Sequence, residues 1–386
     1  MMYMIKIGWL RTFFIVIGLI IVLIGCGKGK HDASASWRHG EPLGKERLMI
    51  GVIHITDPQT ETSGGYTYAH ELGILEMQEA LALRDDQILR KTNVLDSDPA
   101  GIENAMRECI AAGADIIIAT SWGYMDICEK LAGEFPHVVF AHASGYKSND
   151  TNFTNYFGRL YQVKYLSGIA AGMKTRTGKI GYVAAMGKDN SEEGSGLNAF
   201  ALGVERVNPR AKIYLRVTYS WFDPMEEVNA TRALVAEGCD VISQGCDSPY
   251  PQIEAQKAGI WGVGYNTDMG REAPDAVLTS AIWQWGAYYI YLVRSVIDGS
   301  FTTTPYLGGI AEGILDMTPL ATELVAPGTA EAMETAREQM LTGKFNVFDG
   351  VMETNDGKTI GVEGTTLSDR EIQSGINWYY RTIIEP

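Results

Sequence analysis

The sequence predicts an α/β protein of two similar lobes, each built on a parallel sheet. Three observations lead there. β-Branched, strand-like runs alternate with amphipathic stretches of about ten to fifteen residues, the pattern of parallel strands joined by right-handed helical crossovers. A helix-to-strand segment is also written twice: Ala105, Arg107, Ala111, Gly113 and Asp115 return as Ala230, Arg232, Ala236, Gly238 and Asp240, always 125 residues on. That period is too long for a solenoid unit and suits a duplicated lobe. Finally, 386 residues give room for two or three domains, and 46% hydrophobic with 20% charged residues is the composition of a folded globular chain.

The elements follow in order. The β-branched run 48–55 reads as the first strand and 69–83 as a helix. Strand 88–95 and helix 99–112 come next, the helix having apolar positions at 3.6 spacing and Gly113 at its C-terminal cap. Strand 116–119, helix 125–134 and strand 138–141 close the first half. The second half begins with helix 163–174, strand 180–185, helix 197–207 and strand 212–219. Helix 224–236, capped by Gly238, leads to strand 241–244, helix 250–258 and strand 260–264.

The N-terminus reads as an address. Lys6 and Arg11 form a positive n-region, and 13–24 is apolar but far shorter than the roughly twenty residues of a spanning helix. Gly25-Cys26 then resembles a bacterial lipobox. Residues 1–25 are therefore expected to be a lipoprotein signal peptide, Cys26 the lipidated residue, and 26–46, which has no apolar period, a tether. The expected location is the extracytoplasmic face of the cell membrane, held by that lipid.

The formal charge of −15 argues against nucleic acid and against an anionic membrane surface as partners. No HExxH, GxSxG or calcium loop is present. Gly172 to Lys179 misses the Walker A spacing, and Gly194-Ser-Gly196-Leu-Asn-Ala199 lacks the distal acid of a dinucleotide site. Cys109, Cys128, Cys239 and Cys246 form no CxxC and read as buried apolar residues, Cys239 and Cys246 being the nearest candidates for a disulfide. His70 and His142 read equally as cleft residues or as structural ones. The acid pairs Glu192-Glu193 and Glu226-Glu227 read as solvated helix starts. No catalytic residue, cofactor or metal is expected.

In parallel sheets ligands bind beyond the carboxyl ends of the strands, so the loops there matter most. They carry Tyr66, then Trp122, Tyr124 and Asp126, then Trp221, Asp247, and finally Asn266 and Asp268. The stretch 279–285, with Trp283 and Trp285, also reads as such a loop. Four of eight tryptophans thus fall on strand-end loops. Aromatic faces with single carboxylates and amides between them suit a flat, polar-edged ring, and both a nucleobase and a sugar qualify.

From about Met49 onward the chain resembles the PnrA-like basic membrane protein family, the substrate-binding lipoproteins of purine ABC importers. The resemblance rests on Tyr161-Gln-Val-Lys-Tyr-Leu-Ser-Gly-Ile-Ala-Ala-Gly172, Phe222-Asp223-Pro224, Gly264-Tyr-Asn-Thr-Asp268 and Asn377-Trp378-Tyr379. It implies a type I periplasmic-binding-protein fold with two Rossmann-like lobes and a three-segment hinge. The N-terminal lobe would take 47–157 and 283–308, the C-terminal lobe 158–282 and 309–386. It implies a purine held between Tyr66 and Trp122 on one lobe and Trp221 on the other, with Asp126 as a polar reader. A membrane ABC permease is the implied partner. Nucleoside-binding members hold ribose with an Asp and a Lys, where this chain has Asn266 and Trp283. That departure points to a free base, most like the adenine-binding branch, with Asp247 or Asp268 reading an amine.

Overall fold

The computed structural model describes residues 38–59 and 65–386. The expected signal peptide 1–25, Cys26 and most of the expected tether lie outside the described residues. The first half of the chain runs β1 (Ile50–Ile53), α1 (Tyr66–Ala80), β2 (Ile88–Lys91), α2 (Pro99–Ala111), β3 (Ile116–Ala119), α3 (Met125–Glu134), β4 (Val139–Ala143) and β5 (Phe153–Gly158). Then come α4 (Tyr161–Lys174), β6 (Lys179–Ala184), α5 (Ser191–Val207), β7 (Lys212–Val217), α6 (Pro224–Ala236), β8 (Val241–Gln244), α7 (Tyr250–Lys257), β9 (Trp261–Asn266) and β10 (Val277–Trp283). The last part holds α8 (Trp285–Asp298), β11 (Tyr306–Gly308), β12 (Leu315–Met317), α9 (Thr329–Leu341), a hairpin of β13 (Met352–Glu353) and β14 (Thr359–Ile360), α10 (Asp369–Gly375) and β15 (Ile383–Ile384).

One sheet has the order β11-β5-β4-β3-β1-β2 and is parallel throughout. The other has the order β12-β10-β9-β8-β6-β7-β15, with only β12 antiparallel. The internal repeat has a physical cause. Gly113 (φ 98°) and Gly238 (φ 88°) take left-handed backbone after α2 and α6, which glycine alone adopts without strain. Two residues later the repeated aspartates anchor the entry to the neighbouring strand. Asp115 accepts the Met49 N–H at 3.0 Å, and Asp240 accepts those of Arg176 and Thr177 at 2.7 and 3.1 Å. In register, Ile116 then faces Ile50, and Val241 faces Ile180.

The chain passes between the sheets after β5, after β10 and after β11. The crossings are tied to each other. Arg159 donates from its backbone to Gly308 at 2.6 Å and pairs with Asp369 at 3.1 Å, while the Tyr161 hydroxyl donates to the same aspartate at 2.9 Å. Gln162 Oε1 accepts the Ile310 N–H at 2.9 Å. The C-terminal Asn377-Trp378-Tyr379 segment is held by Asn198, whose side chain donates to Trp378 O (2.9 Å) and accepts from Tyr380 N (2.8 Å).

Three expectations are corrected. The end of the supposed tether is docked, not loose: Leu43 is buried, its N–H donates to Val296 O at 3.3 Å, and Gln87 donates to Lys45 O and Leu48 O at 2.8 Å each. Residues 279–285 are not a loop but the end of β10 and the start of α8, because strand pairing with β9 and β12 continues to Trp283. Cys239 and Cys246 form no disulfide; all four described cysteines are free and buried. Burial pushes the Cys109 thiol up to about 11 and that of Cys239 to about 12, which keeps them protonated and inert.

Candidate functional site

The loops at the carboxyl ends of the strands bring residues of both lobes together. On the first lobe, Tyr66 opens α1 with its ring edge-on to His70 at 4.4 Å. His70 stacks on Trp285 at 4.3 Å, and Trp285 stacks on Trp283 at 4.2 Å with ring planes only 7° apart. Phe157 ends this aromatic column, 5.0 Å from Trp283. His70 is therefore a wall residue: buried, with Nδ1 bonded to the Tyr289 hydroxyl. Burial holds it well below the usual imidazole range, so it is neutral.

On the second lobe, Asn266 closes β9 in left-handed backbone (φ 69°), which an asparagine tolerates better than most side chains. That turn sends its Nδ2 to Asp247 Oδ1 at 2.8 Å, and the Asp247 N–H donates to Trp221 O at 2.8 Å. Trp221, Asp247 and Asn266 are thus one assembly. Asn266 Oδ1 is buried and has no hydrogen-bond partner among the described residues. Beside them, Trp283 Nε1 donates to the Tyr265 hydroxyl (3.2 Å), which donates to Glu192 (2.9 Å). Tyr66 lies within electrostatic reach of the second lobe. Burial raises its phenol well above the usual value, and negative charge from Glu192 and Asp247 of the other lobe adds to this.

Behind this surface lies Lys164, only 2% exposed. It donates to Gln244 O (2.6 Å) and the Tyr182 hydroxyl (3.2 Å), and sits 3.7 Å over the Tyr265 ring. Burial lowers its ammonium and raises the carboxyl of nearby Glu193. The lysine lies in the apolar run of α4 quoted above, where an isolated charge is the one signal sequence reasoning passed over. Glu192 and Glu193 were expected in solvent. Instead α5 is buried along most of its length, because α4 and α5 approach so closely at Gly168 that a Cβ there would lie 2.0 Å from Phe200 O.

Other expected site residues fall elsewhere. Tyr124 is fully buried with its hydroxyl bonded to Val94 O, a packing residue of the first lobe. Asp126 stands in the first turn of α3 with its carboxylate 80% exposed and paired with Lys147 at 2.8 Å. In its place Asp96 braces the Trp122 turn, accepting from Ser121 Oγ at 2.6 Å. Trp122 itself is exposed, tilted on Tyr146 at 5.9 Å. Asp268 accepts the Gly270 N–H at 3.1 Å, pairs with Arg271 and lines a separate surface depression with Thr279 and Thr318. Trp283, at 5% exposure, is part of the wall's interior, and Trp285 is wholly buried.

His142 is structural, its Nε2–H donating to Ser121 O at 2.6 Å beneath the Trp122 turn. Burial lowers its imidazole to about 4. A neutral histidine of this kind contributes stability that is intact above the unfolded value near 6.5 and lost as pH falls towards 4, on the order of 3 kcal/mol. Urea midpoints should therefore drop between pH 6.5 and 4 more steeply in the wild type than in His142→Gln. Parallel pH profiles would remove this role.

Two parallel-sheet lobes and three crossings define the type I periplasmic-binding fold. The profile of the family described as ABC transporter substrate-binding protein PnrA-like matches residues 50–353, and the chain belongs to that family. A purine-binding protein of Brucella abortus is 32% identical over 342 residues, 88% of this chain and 94% of its own. A putative ABC transporter glucose-binding protein of Haloferax volcanii is 36% identical over 255 residues, 65% of this chain and 63% of its own. Among solved structures, an ABC transporter solute-binding protein of Conexibacter woesei superposes with a TM-score of 0.64 at 18% identity, over 78% of this chain and 98% of its own. The chain is thus the substrate-binding component of an ABC transporter, a carrier that offers a small molecule to a membrane permease from the extracytoplasmic side, in a family of binders and not of enzymes. No helix among the described residues is long and apolar enough to cross a membrane.

Proposed function

We infer that this protein captures a purine, adenine in preference to purine nucleosides, while anchored to the membrane by lipid on Cys26. The observation that carries the free-base reading is the Trp283–Tyr265 pair. Trp283 and the neighbourhood of Asn266 correspond to the Lys and Asp with which nucleoside-binding members hold ribose. Here an indole bonded to a tyrosine at 3.2 Å stands in place of that lysine. The B. abortus relative supports the purine class.

In this reading Tyr66 and Trp122 supply aromatic faces from the first lobe and Trp221 the face from the second. Asp247 and the unpartnered Asn266 Oδ1 accept from the ring edge. Stacking contributes about 1–3 kcal/mol per face, and an unmatched polar edge costs a similar amount, which gives discrimination. Hinge breaks near 157–158, 282–283 and 308–309 let the lobes close on the ligand, and the closed form docks on the permease. Calorimetry with adenine, adenosine, guanosine and glucose tests this. Adenine should bind tightest, and Trp221→Ala should weaken it more than tenfold. Tighter adenosine binding would overturn the free-base reading. Glucose binding without purine binding, as the name of the H. volcanii relative would suggest, would overturn the purine class.

A further inference from the structure

Glu192 has no part in the purine site described so far, yet the departure at Trp283 leads to it. An indole N–H can only donate, so the Tyr265 oxygen accepts from Trp283 and its own proton goes to Glu192 Oε1. The direction of the chain is fixed, and Glu192 is the acceptor at its end. Among the described residues its second oxygen makes no hydrogen bond. The residue lines a small cavity that both lobes wall, with Phe157, Gly158, Ser195 and Leu307. From the first lobe, the Tyr66 phenol feels the negative charge of Glu192.

A carboxylate fixed by one oxygen and open at the other takes a donor from the ligand. A free purine base has one on its imidazole ring. A nucleoside carries the sugar there instead. We propose that Glu192 accepts the imidazole-ring N–H of a free purine base, and that the Trp283–Tyr265 relay holds it in place to do so. Glu192 is then the specificity-determining residue that separates base from nucleoside. The inference rests on the purine reading, deepening it from a ligand class to one hydrogen bond.

The test is calorimetry of the purified protein with adenine and 9-methyladenine, which loses the N–H without adding a sugar. Wild type should prefer adenine at least a hundredfold. In Glu192→Gln the preference should fall below tenfold, through loss of adenine affinity and not through gain of bulk tolerance. Tyr265→Phe, which removes only the relay hydroxyl, should lower the preference in the same direction and serves if the first variant does not fold. Equal wild-type affinities for the two compounds, or an unchanged preference in both variants, would overturn the role of Glu192 and leave the purine reading standing. Binding of neither compound would overturn both.

Discussion

Replacing Lys164 by methionine is expected to lower the unfolding free energy by about 1–3 kcal/mol, the range for leaving a buried polar group without its partner. Methionine fills nearly the same volume, so the loss is electrostatic rather than steric. Three things go at once. Gln244 O loses a donor at 2.6 Å, the Tyr265 ring loses a cation at 3.7 Å, and Glu193 is left without its opposing charge. Glu193 is 5% exposed and has one carboxylate oxygen with no partner among the described residues, so it cannot turn to water. Adding Glu193→Gln to the methionine variant should therefore restore at least half of the lost stability. Urea unfolding of the wild type, both single variants and the double variant measures this coupling directly. Strict additivity would mean that Lys164 and Glu193 do not compensate each other.

Asn266→Asp should lower purine affinity more than tenfold and make stability depend on pH in a way the wild type does not. The asparagine amide donates to Asp247 at 2.8 Å; an aspartate there puts two carboxylates at hydrogen-bond distance in a buried site. One of them must keep a proton, so its folded pKa rises above the unfolded value. A raised carboxyl contributes stability that is present below the unfolded value near 4 and is lost as pH rises through the folded one. Thermal midpoints of variant and wild type should be close at pH 4.5 and well apart at pH 8. A gap that is the same at both pH values would show that the two side chains are not in contact.

What was legible in the sequence was whatever is fixed locally. Gly113 and Gly238 mark helix ends because a left-handed residue is needed at those points, whatever surrounds them. The alternation of strands and helices fixed the layers, and Trp221, Asp247 and Asn266 were legible as strand-end residues. The illegible parts depend on packing between distant segments. Glu192-Glu193 looks like any solvated helix start until α4 and α5 are seen in contact at Gly168 and Gly203. Trp283 and Trp285 looked like loop aromatics because β10 is read as ending early unless its antiparallel partner β12, more than thirty residues later, is known. The short turn at Trp122–Tyr124 decides that Tyr124 points inward to Val94 and Asp126 outward to Lys147.

The position of β11 bears on how the protein comes into being. This strand pairs with β5 across a sequence separation of 150 residues, Tyr306 against Tyr156. As the polypeptide grows, β5 therefore has an open edge throughout the synthesis of β6 to β10. Unpaired edges of this kind invite mispairing with other chains. The neighbouring sheet does not receive its last strand, β15, until residues 383–384. Neither sheet therefore has its full set of strands until late in the chain, the first at residues 306–308 and the second at 383–384.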